Sequence, residues 1–580
     1  MTDTLVSRFD RIVQAQPAHP AVLSDGQVLS YQELQQRARH IAAAIQAWYR
    51  ARHGRPVAPT DVIGVRIEKC ADLYAAVLGV LATGGSYVPL DPQLPGTGQA
   101  FIARRCHCEL VLSLDGMPAP LPGGAVIHLA ASEEPDGTFE PVGTTLPTDR
   151  CYTIFTSGST GEPKGVAVSH ANVLNLVDWA IDTFGVGPAT RALQYSTINF
   201  DASVLDIFPT LLGGATLCVP SEAQRLSAAG LAELCRRHRI DHAFLPPTLL
   251  GALEPDAFDG LRTVLTGGEP CSPQVVAGWS AGRRLYNLYG PTECTVLATC
   301  KRMGASTSAR NLGRAIAGVR VHVLDEGGQP ARRGELHIAG LGVSSGYVGD
   351  PAATARRFVR LAHLDASMLY RTGDIVEQDD TGELHFAGRM DRQVKVRGYR
   401  IELEEIEGAL QRVGCRQAAV TLAGDGVLVA HVSAGEDIGA AAWKARLSGV
   451  LADFKIPQQV VQLDELPLKP NGKVDYDRLP ALRVVAPTAA PRAADDVPTD
   501  TCYRTLAALW AATLSIDAGM LTLHGNFRDL GGTSIHVVRL LAAVERELGV
   551  VIPFIEFFKT PTLQFMYQTI QREEPSCCHP

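Results

Sequence analysis

Several short stretches of this chain combine residue types that can handle phosphate, charge and a nucleophile. The first is YTIFTSGSTGEPKG, residues 152–165. Tyr152–Phe155 is an apolar, β-favouring run. It breaks into Thr156, Ser157, Gly158, Ser159, Thr160 and Gly161 and closes on Pro163, Lys164 and Gly165. Glycines let backbone N–H groups close on an anion, hydroxyls add donors and the lysine adds a point charge, so the stretch suits a polyphosphate. It is not a Walker A loop, which needs Gly directly before Lys and Ser/Thr directly after. Here Pro163 precedes Lys164 and Gly165 follows it. A flexible surface turn has the same composition. The second stretch, Asn287-Leu288-Tyr289-Gly290-Pro291-Thr292-Glu293, puts an aromatic, a tight turn, a hydroxyl and an acid together, which suits a nucleotide. One glutamate there is enough for magnesium, which prefers one or two carboxylates plus phosphate oxygens. Asp374 sits at a turn in YRTGD, where a carboxylate can accept two ribose hydroxyls, and Arg389 follows within reach of a phosphate or ribose.

Other candidates have plainer readings beside the chemical ones. Asp201 stands in FDASVLDIF among large apolar residues. It reads as a helix cap, or as a buried carboxylate in want of a cationic partner. Lys473 sits in PNGK, where Asn-Gly between short β-like runs signals a hairpin with a solvated lysine at its tip. Ser534 reads as an N-cap for a helix over 535–548, and it is also exposed to a modifying enzyme there. Gly342-Val343-Ser344-Ser345-Gly346 satisfies the G-x-S-x-G nucleophile elbow of α/β hydrolases. In a chain with 55 glycines that pattern arises easily by chance.

The elements that must position these residues alternate in type. Ser30 is a plausible N-cap before an apolar-periodic helix around 34–48. Val62–Val65 reads as a strand, Ala71–Ala82 as a helix stopped by Gly84-Gly85, and Tyr87–Leu90 as a strand ended by Asp91-Pro92. This alternation predicts a doubly wound, largely parallel sheet. The segments HAFLPP from His242 and LTGGE from Leu265 read as further strand ends. Residues 485–500, VAPTAAPRAADDVPTD, form a semi-stiff linker, and helical periodicity (Leu506, Leu509, Trp510, Leu514) resumes beyond it.

Gross composition excludes several classes. A chain of 580 residues, 46% hydrophobic and 20% charged, is long enough for several globular domains. A net charge of −8 argues against bulk nucleic-acid binding. No apolar run approaches a membrane span and MTDTLVSRFD has no signal-peptide core, which predicts a cytoplasmic protein without membrane partners. The 13 cysteines are scattered, with no C-x-x-C; Cys106/Cys108 and the Cys577-Cys578-His579 tail match no zinc framework, and mostly reduced, buried thiols are expected.

Taken in order, these motifs resemble the adenylation domains of nonribosomal peptide synthetases, within the adenylate-forming enzymes. LSYQEL and LATGGSYVPLDP resemble the first core motifs, GELHIAGLGVSSGYVGDPAATARRF a scaffold motif, and NFRDLGGTSI the peptidyl carrier motif. The resemblance covers nearly the whole chain. It implies an α/β large subdomain over 1–390, a small α+β mobile subdomain over 391–484, and an all-α four-helix carrier domain over 501–575. It also implies ATP, Mg²⁺ and 4′-phosphopantetheine as cofactors. Thr156 to Gly161 and Lys164 would then hold the β,γ-phosphates that leave as pyrophosphate. Gly268 and Glu269 would line the nucleotide side. Tyr289 and Gly290 would flank adenine, Asn287 would read its edge, and Phe386 would flank the nucleotide. Thr292 would contact the α-phosphate, Glu293 would bind Mg²⁺, Asp374 would hold the ribose, and Asp391 would be the hinge. Lys473 would enter the site to bridge carboxylate and α-phosphate as charge builds. Ser534 would carry the phosphopantetheine arm. Thr533 stands where a His is common in the family, a departure that leaves the serine's role intact.

By the same resemblance Asp201 holds a substrate α-ammonium, and the side-chain pocket is Ala202, Leu205, Phe244, Leu265, Gly267, Leu288, Val296 and Leu297. Every one of these walls is apolar, so polar side chains would lose hydrogen bonds on entry. The bulk of the leucines and Phe244 argues against Trp or Tyr. The expected substrate is a branched aliphatic amino acid, valine first, then leucine or isoleucine. Expected partners are a phosphopantetheinyl transferase and a downstream condensation or other carrier-dependent enzyme, since no His-His-x-x-x-Asp motif is present. Two alternatives stand beside this reading. One is an acyl- or aryl-CoA synthetase, which would have no use for Asp201. The other is a non-catalytic adenylate-binding scaffold.

Overall fold

The computed structural model describes residues 3–24, 26–92, 94–114, 118–121, 123–129, 145–158, 162–361, 363–396, 399–423, 427–434, 438–469, 474–479, 498, 500–514, 516, 518–527, 530, 532, 534–552, 556–557 and 560–573, without the side chains of 453, 520, 534, 535, 538 and 573. Ser159, Thr160, Gly161, Asn471, Gly472, Lys473, Thr533, nearly all of the 485–500 stretch and the Cys577-Cys578-His579 tail lie outside the described residues. The chain divides into two compact units. The first comprises residues 1–158, 162–221 and 234–400; the second comprises 159–161, 222–233 and 401–580.

The first unit is built on two sheets. One has six strands, in spatial order Ala125–His128, Leu110–Ser113, Val62–Arg66, Ser86–Pro89, Arg150–Thr156 and Lys164–Ser169. The first five run parallel, and the last folds back antiparallel on Arg150–Thr156 around the Gly/Ser/Thr loop. The other has fourteen strands. Its parallel part runs Arg284–Tyr289, Thr263–Gly267, His242–Phe244, Arg191–Leu193, Thr216–Val219 and Pro20–Ser24. An antiparallel wing continues it through Thr299–Met303, Asn311–Ala315, Leu384–Arg389, Leu369–Gln378, Arg333–Gly340 and Val319–Leu324. The wing departs from the doubly wound expectation because its neighbouring strands pair antiparallel, several of them through short hairpins, and antiparallel neighbours need no helical crossover.

Local signals explain the helices. Tyr31–His53 starts at a capping box in which Ser30 Oγ accepts from the Glu33 N–H and the Glu33 carboxylate accepts from the Ser30 N–H at 2.7 Å. It ends at Gly54 in the left-handed conformation. The helix Ala71–Ala82 is apolar nearly all round and buried from Leu73 through Leu81. It lies in a single core cluster that also holds Tyr31, Tyr87, Tyr152, Phe208 and Tyr370.

In the second unit, Gln417–Leu422 and Leu428–Ser433 pair antiparallel and Gln459–Gln462 joins them in parallel. The helices Leu403–Arg412 and Gly439–Ser448 belong to the same unit. The expected 466–475 hairpin is visible at its base, where Leu468 and Val474 form an antiparallel bridge. Further on, Thr501–Leu514, Ser534–Leu548 and Leu563–Glu573 are helices, and residues 556–557 are helical. Their core is Trp510, Phe527, Leu540, Val544, Phe557 and Met566, with Trp510 edge-on to Phe527 at 4.9 Å. Ser534 is the first residue of its helix rather than the cap before it. Most of the described cysteines are buried. Among the described residues no helix is long and apolar enough to cross a membrane.

Removing the Ser30 hydroxyl unmakes one half of the capping box. Ser30→Ala is expected to cost about 1 kcal/mol, read as a lower urea midpoint for the first unit with its m-value unchanged.

Candidate active site

Strand ends gather the site. Phe244, Gly267, Leu288 and Tyr289 stand at the carboxyl ends of three neighbouring parallel strands, where open α/β sheets bind ligands. There they face the start of the helix Ala202–Leu212 and strand residues of the antiparallel wing. Together they form a cleft lined by Asp201, Ala202, Leu205, Phe244, Gly267, Gly268, Leu288, Tyr289, Gly290, Thr292, Val296, Leu297, Asp374, Arg389 and others. Leu265, Glu269, Asn287, Glu293 and Phe386 do not line it. Leu265 is buried beneath the wall, and the Asn287 amide donates to the Asn311 carbonyl at 2.9 Å.

Asp201 precedes its helix without capping it by a side-chain hydrogen bond. The loop before it is held by a second acid of the same run, Asp206, which accepts from the Ser196 N–H at 3.0 Å. Burial pushes the Asp201 carboxyl up to about 6, against the pull of the Thr292 hydroxyl and the field of Lys395. Lys395, on the strand Val394–Val396, lies 5.9 Å over the Tyr289 ring, and burial lowers its ammonium pKa against the attraction of Asp374 and Asp201. A buried acid and a buried base of this kind lining one cleft mark a functional site.

Asp374 and Arg389 face each other across the register of Leu369–Gln378 and Leu384–Arg389. Arg389 donates to Asp374, to both oxygens of Asp391 at 2.6 and 2.9 Å, and to Gln393 at 3.1 Å. Tyr289 donates its hydroxyl to the other Asp374 oxygen. Arg357 reaches Asp391 at 3.2 Å. The hinge candidate is therefore fixed to the same guanidinium as the ribose candidate. The compact unit itself runs on to Arg400.

Glu293 is 1% exposed. Both its oxygens accept from Arg400 Nη1 at 2.9 Å, and Oε1 also accepts from the Tyr347 hydroxyl at 2.6 Å. Burial raises its pKa, but Arg400 and Tyr347 outweigh that and hold it below the ordinary range. Lys164 lies 5.5 Å over the Tyr347 ring, and Ser157 donates its hydroxyl to the Arg400 carbonyl. Glu293, Arg400, Tyr347, Lys164 and Ser157 thus form one connected cluster. Sequence reasoning missed Tyr347, Lys395 and Arg400. Each lay inside a recognised motif, but nothing local distinguishes a cation that folds inward from a solvated one.

Just past Glu293 the backbone is strained. Thr295 and Val296 have φ of 56° and 75°, a conformation that β-branched residues adopt at a cost on the order of 1–3 kcal/mol each.

With this geometry in view, comparison with known proteins is direct. The model of the AMP-binding enzyme family matches residues 9–348, and that of the phosphopantetheine attachment site matches 504–570. The chain belongs to the AMP-binding enzyme family and carries a phosphopantetheine attachment module. It is 36% identical over 590 residues to a probable nonribosomal peptide synthetase, CymA of Salinispora arenicola, covering 100% of this chain and 7% of that protein. It is 34% identical over 590 residues to the phosphinothricin tripeptide synthetase PhsC of Streptomyces viridochromogenes, covering 98% of this chain and 53% of PhsC. The chain therefore spans only part of the curated relatives it matches. Among solved structures, holo-PA1221, an NRPS protein containing adenylation and PCP domains, aligns with a TM-score of 0.83 at 26% identity over 100% of this chain and 97% of that one. The class is that of ATP-dependent adenylating ligases with a carrier domain, which use ATP, Mg²⁺ and 4′-phosphopantetheine.

The residues present fit those groups. A side chain on Gly158 would meet the Glu162 carbonyl at 2.1 Å, so the phosphate loop closes too tightly for any residue but glycine. The buried Thr156 hydroxyl has no hydrogen-bond partner among the described residues, as suits a donor kept for a ligand oxygen. Glu293 is the carboxylate that would hold a divalent cation. Its oxygens are engaged with Arg400 here, so a metal at this carboxylate requires the guanidinium to yield.

Arg400→Ala would strand the Glu293 carboxylate. The expected cost is about 3 kcal/mol in the urea midpoint, and Glu293→Gln in the same protein should recover most of it, because breaking a buried pair costs more than removing both charges.

Proposed function

We propose that this chain activates a small branched aliphatic amino acid with ATP as the aminoacyl-AMP and loads it onto its own carrier domain for nonribosomal peptide synthesis. Valine is the first candidate, then leucine and isoleucine. The observation that carries this reading is Asp201, a buried carboxylate in the cleft lining next to its apolar walls, with a pKa raised by burial. A carboxylate so placed gains most from an α-ammonium brought by the substrate. Ala202, Leu205, Phe244, Gly267, Leu288, Val296 and Leu297 leave only apolar surface for the side chain beyond it.

The remaining roles are those that the family resemblance implies. Lys164, with the loop from Thr156, binds the β,γ-phosphates that leave. Thr292 orients the α-phosphate, and Asp374 with Arg389 takes the ribose. Glu293 would hold Mg²⁺, which when bound would supply neutralising charge to the phosphates. Lys473 brings a cation to the developing charge at the α-phosphorus. Ser534 would carry the 4′-phosphopantetheine, which when attached would supply a thiol as aminoacyl acceptor, and tethering would make that step effectively intramolecular. In this reading 1–390 and 391–484 are the large and mobile parts of the adenylation domain, with Asp391 as hinge, 485–500 is the linker and 501–575 is the carrier. A phosphopantetheinyl transferase and a downstream carrier-dependent enzyme are the partners, and the cytoplasm is the setting.

Amino-acid-dependent pyrophosphate exchange tests the substrate. Exchange should be greatest with valine, leucine or isoleucine, and a maximum with a polar or aromatic amino acid would overturn the assignment. Lys473→Ala should slow exchange by roughly 10²–10³-fold. Ser534→Ala should leave exchange intact and abolish the mass gain on loading.

Asp201 also sets a pH dependence. With a folded pKa of about 6, above the ordinary aspartate value, Asp201 favours the fold most when protonated; that contribution is lost as pH rises through about 6. Ammonium binding needs the opposite form. The kcat/KM for amino acid, which reports the free enzyme, should therefore fall about tenfold per pH unit below about 6. Asp201→Asn should be weak throughout and lack this limb.

A further inference from the structure

The strained turn behind the amino-acid pocket has a holder of its own. Leu297 donates its N–H to the Thr295 carbonyl at 2.9 Å across Val296, whose φ is 75°. That is a classical γ-turn, the rare and strained form, and it carries a β-branched residue at its centre. Val296 and Leu297 both line the cleft. A relaxed backbone here would move two walls of the side-chain pocket at once.

Thr295 is 1% exposed and lies outside the cleft lining. Its hydroxyl donates to the Gly342 carbonyl at 2.7 Å. The Gly342 loop is anchored in turn. Asn172, third residue of a helix capped by Ser169, donates to the Leu341 and Val343 carbonyls at 2.6 and 3.1 Å. The Ser344 N–H donates to the Glu293 carbonyl at 2.9 Å. On the far side of the turn the Ala298 N–H donates to the Tyr289 carbonyl at 2.8 Å, and a side chain on Gly290 would meet Leu297 Cα at 2.3 Å. The turn is thus clamped between a rigid loop and the strand end bearing Tyr289. The Thr295 hydroxyl supplies the side-chain link of that clamp.

We propose that Thr295 is a specificity-positioning residue. Its hydrogen bond to Gly342 holds the γ-turn at Val296, and so sets the depth of the amino-acid side-chain pocket without touching the substrate. This rests on the reading of the cleft as an aliphatic amino-acid site. It adds that selectivity is set from behind the wall as well as on it. It also gives residues 342–346, the G-x-S-x-G stretch, a mechanical task in place of a nucleophilic one. The buried Ser344 hydroxyl has no hydrogen-bond partner among the described residues, and no histidine pairs with it.

The test compares Thr295→Val, which keeps shape and removes the donor, with Thr295→Ser, which keeps the donor. Both are made in the full chain, and steady-state pyrophosphate exchange is measured across glycine, alanine, valine, isoleucine, leucine and phenylalanine. Thr295→Val is expected to lower the preference of kcat/KM for the favoured amino acid over the next larger aliphatic by about tenfold, the scale of one methylene in a pocket. The change should reside in the KM for amino acid, with the KM for ATP within about twofold of wild type and Thr295→Ser within about threefold throughout. If Thr295→Val does not fold, Thr295→Ala, which also lacks the donor, carries the same comparison. An unchanged amino-acid profile in a folded donor-less variant, or equal losses for ATP and amino acid, would overturn the proposal. Failure of the substrate reading is separately visible: the wild-type profile would peak outside the aliphatic amino acids, while the shift between Val and Ser variants would still be scored on that profile.

Discussion

A carboxylate almost wholly removed from water organises the catalytic end of this molecule. Glu293 could not remain ionised there alone, because desolvation of a bare carboxylate costs several kcal/mol. The charge is kept by Arg400, which meets both oxygens, and by the Tyr347 hydroxyl. Through these contacts the pair binds distant parts of the chain. Tyr347 belongs to the loop after the strand Arg333–Gly340 and lies under Lys164; the Arg400 carbonyl accepts from Ser157 of the phosphate loop. A buried ion pair of this kind is weak evidence for stability and better evidence for registry, since only one arrangement of the four segments satisfies it. A carboxylate expected to meet magnesium is here met by an arginine, so a metal and Arg400 compete for the same oxygens.

The cleft beside this pair follows from sheet topology. Parallel strands deliver their carboxyl ends to one edge, and Phe244, Gly267, Leu288 and Tyr289 arrive there from segments separated along the chain. The antiparallel wing brings Asp374 and Arg389 to the same edge from a hairpin. Apolar walls come from strand ends and from the helix Ala202–Leu212, whose side chains are buried anyway, so the cleft surface and the core are continuous. Val296 differs. It reaches the cleft through a γ-turn that costs backbone energy, and strain of this kind persists only where surrounding contacts over-determine it.

Much of the fold was legible. The helix over 71–82 and the strands near 62 and 87 were readable because apolar periodicity and glycine stops agree there. The Ser30 cap was readable because its glutamate partner sits three residues on. The antiparallel wing was less legible, since alternation of helix and strand in the first 150 residues says nothing about a later run of hairpins. Within the site, Asp201, Asp374 and Tyr289 stood out by type and company, and the structure brings them to one cleft. Asn287 was read as a nucleotide contact, but its amide is engaged with the Asn311 carbonyl, a partner named by pairing across the sheet and not by neighbours in sequence. Tyr347, Lys395 and Arg400 carried no local mark of burial.

By itself the sequence determined the chemistry on offer: a glycine-rich loop able to close on phosphate, an acid in an apolar run, an acid beside a tyrosine, and a serine ahead of a helix. Those follow from side-chain type and short-range backbone preference, which neighbours in the chain decide. Tertiary structure alone decided which charges meet. Glu293 finds Arg400 and Asp374 finds Arg389 and Tyr289 because burial makes each unpaired charge costly, and only the assembled sheets bring the partners close enough to remove that cost.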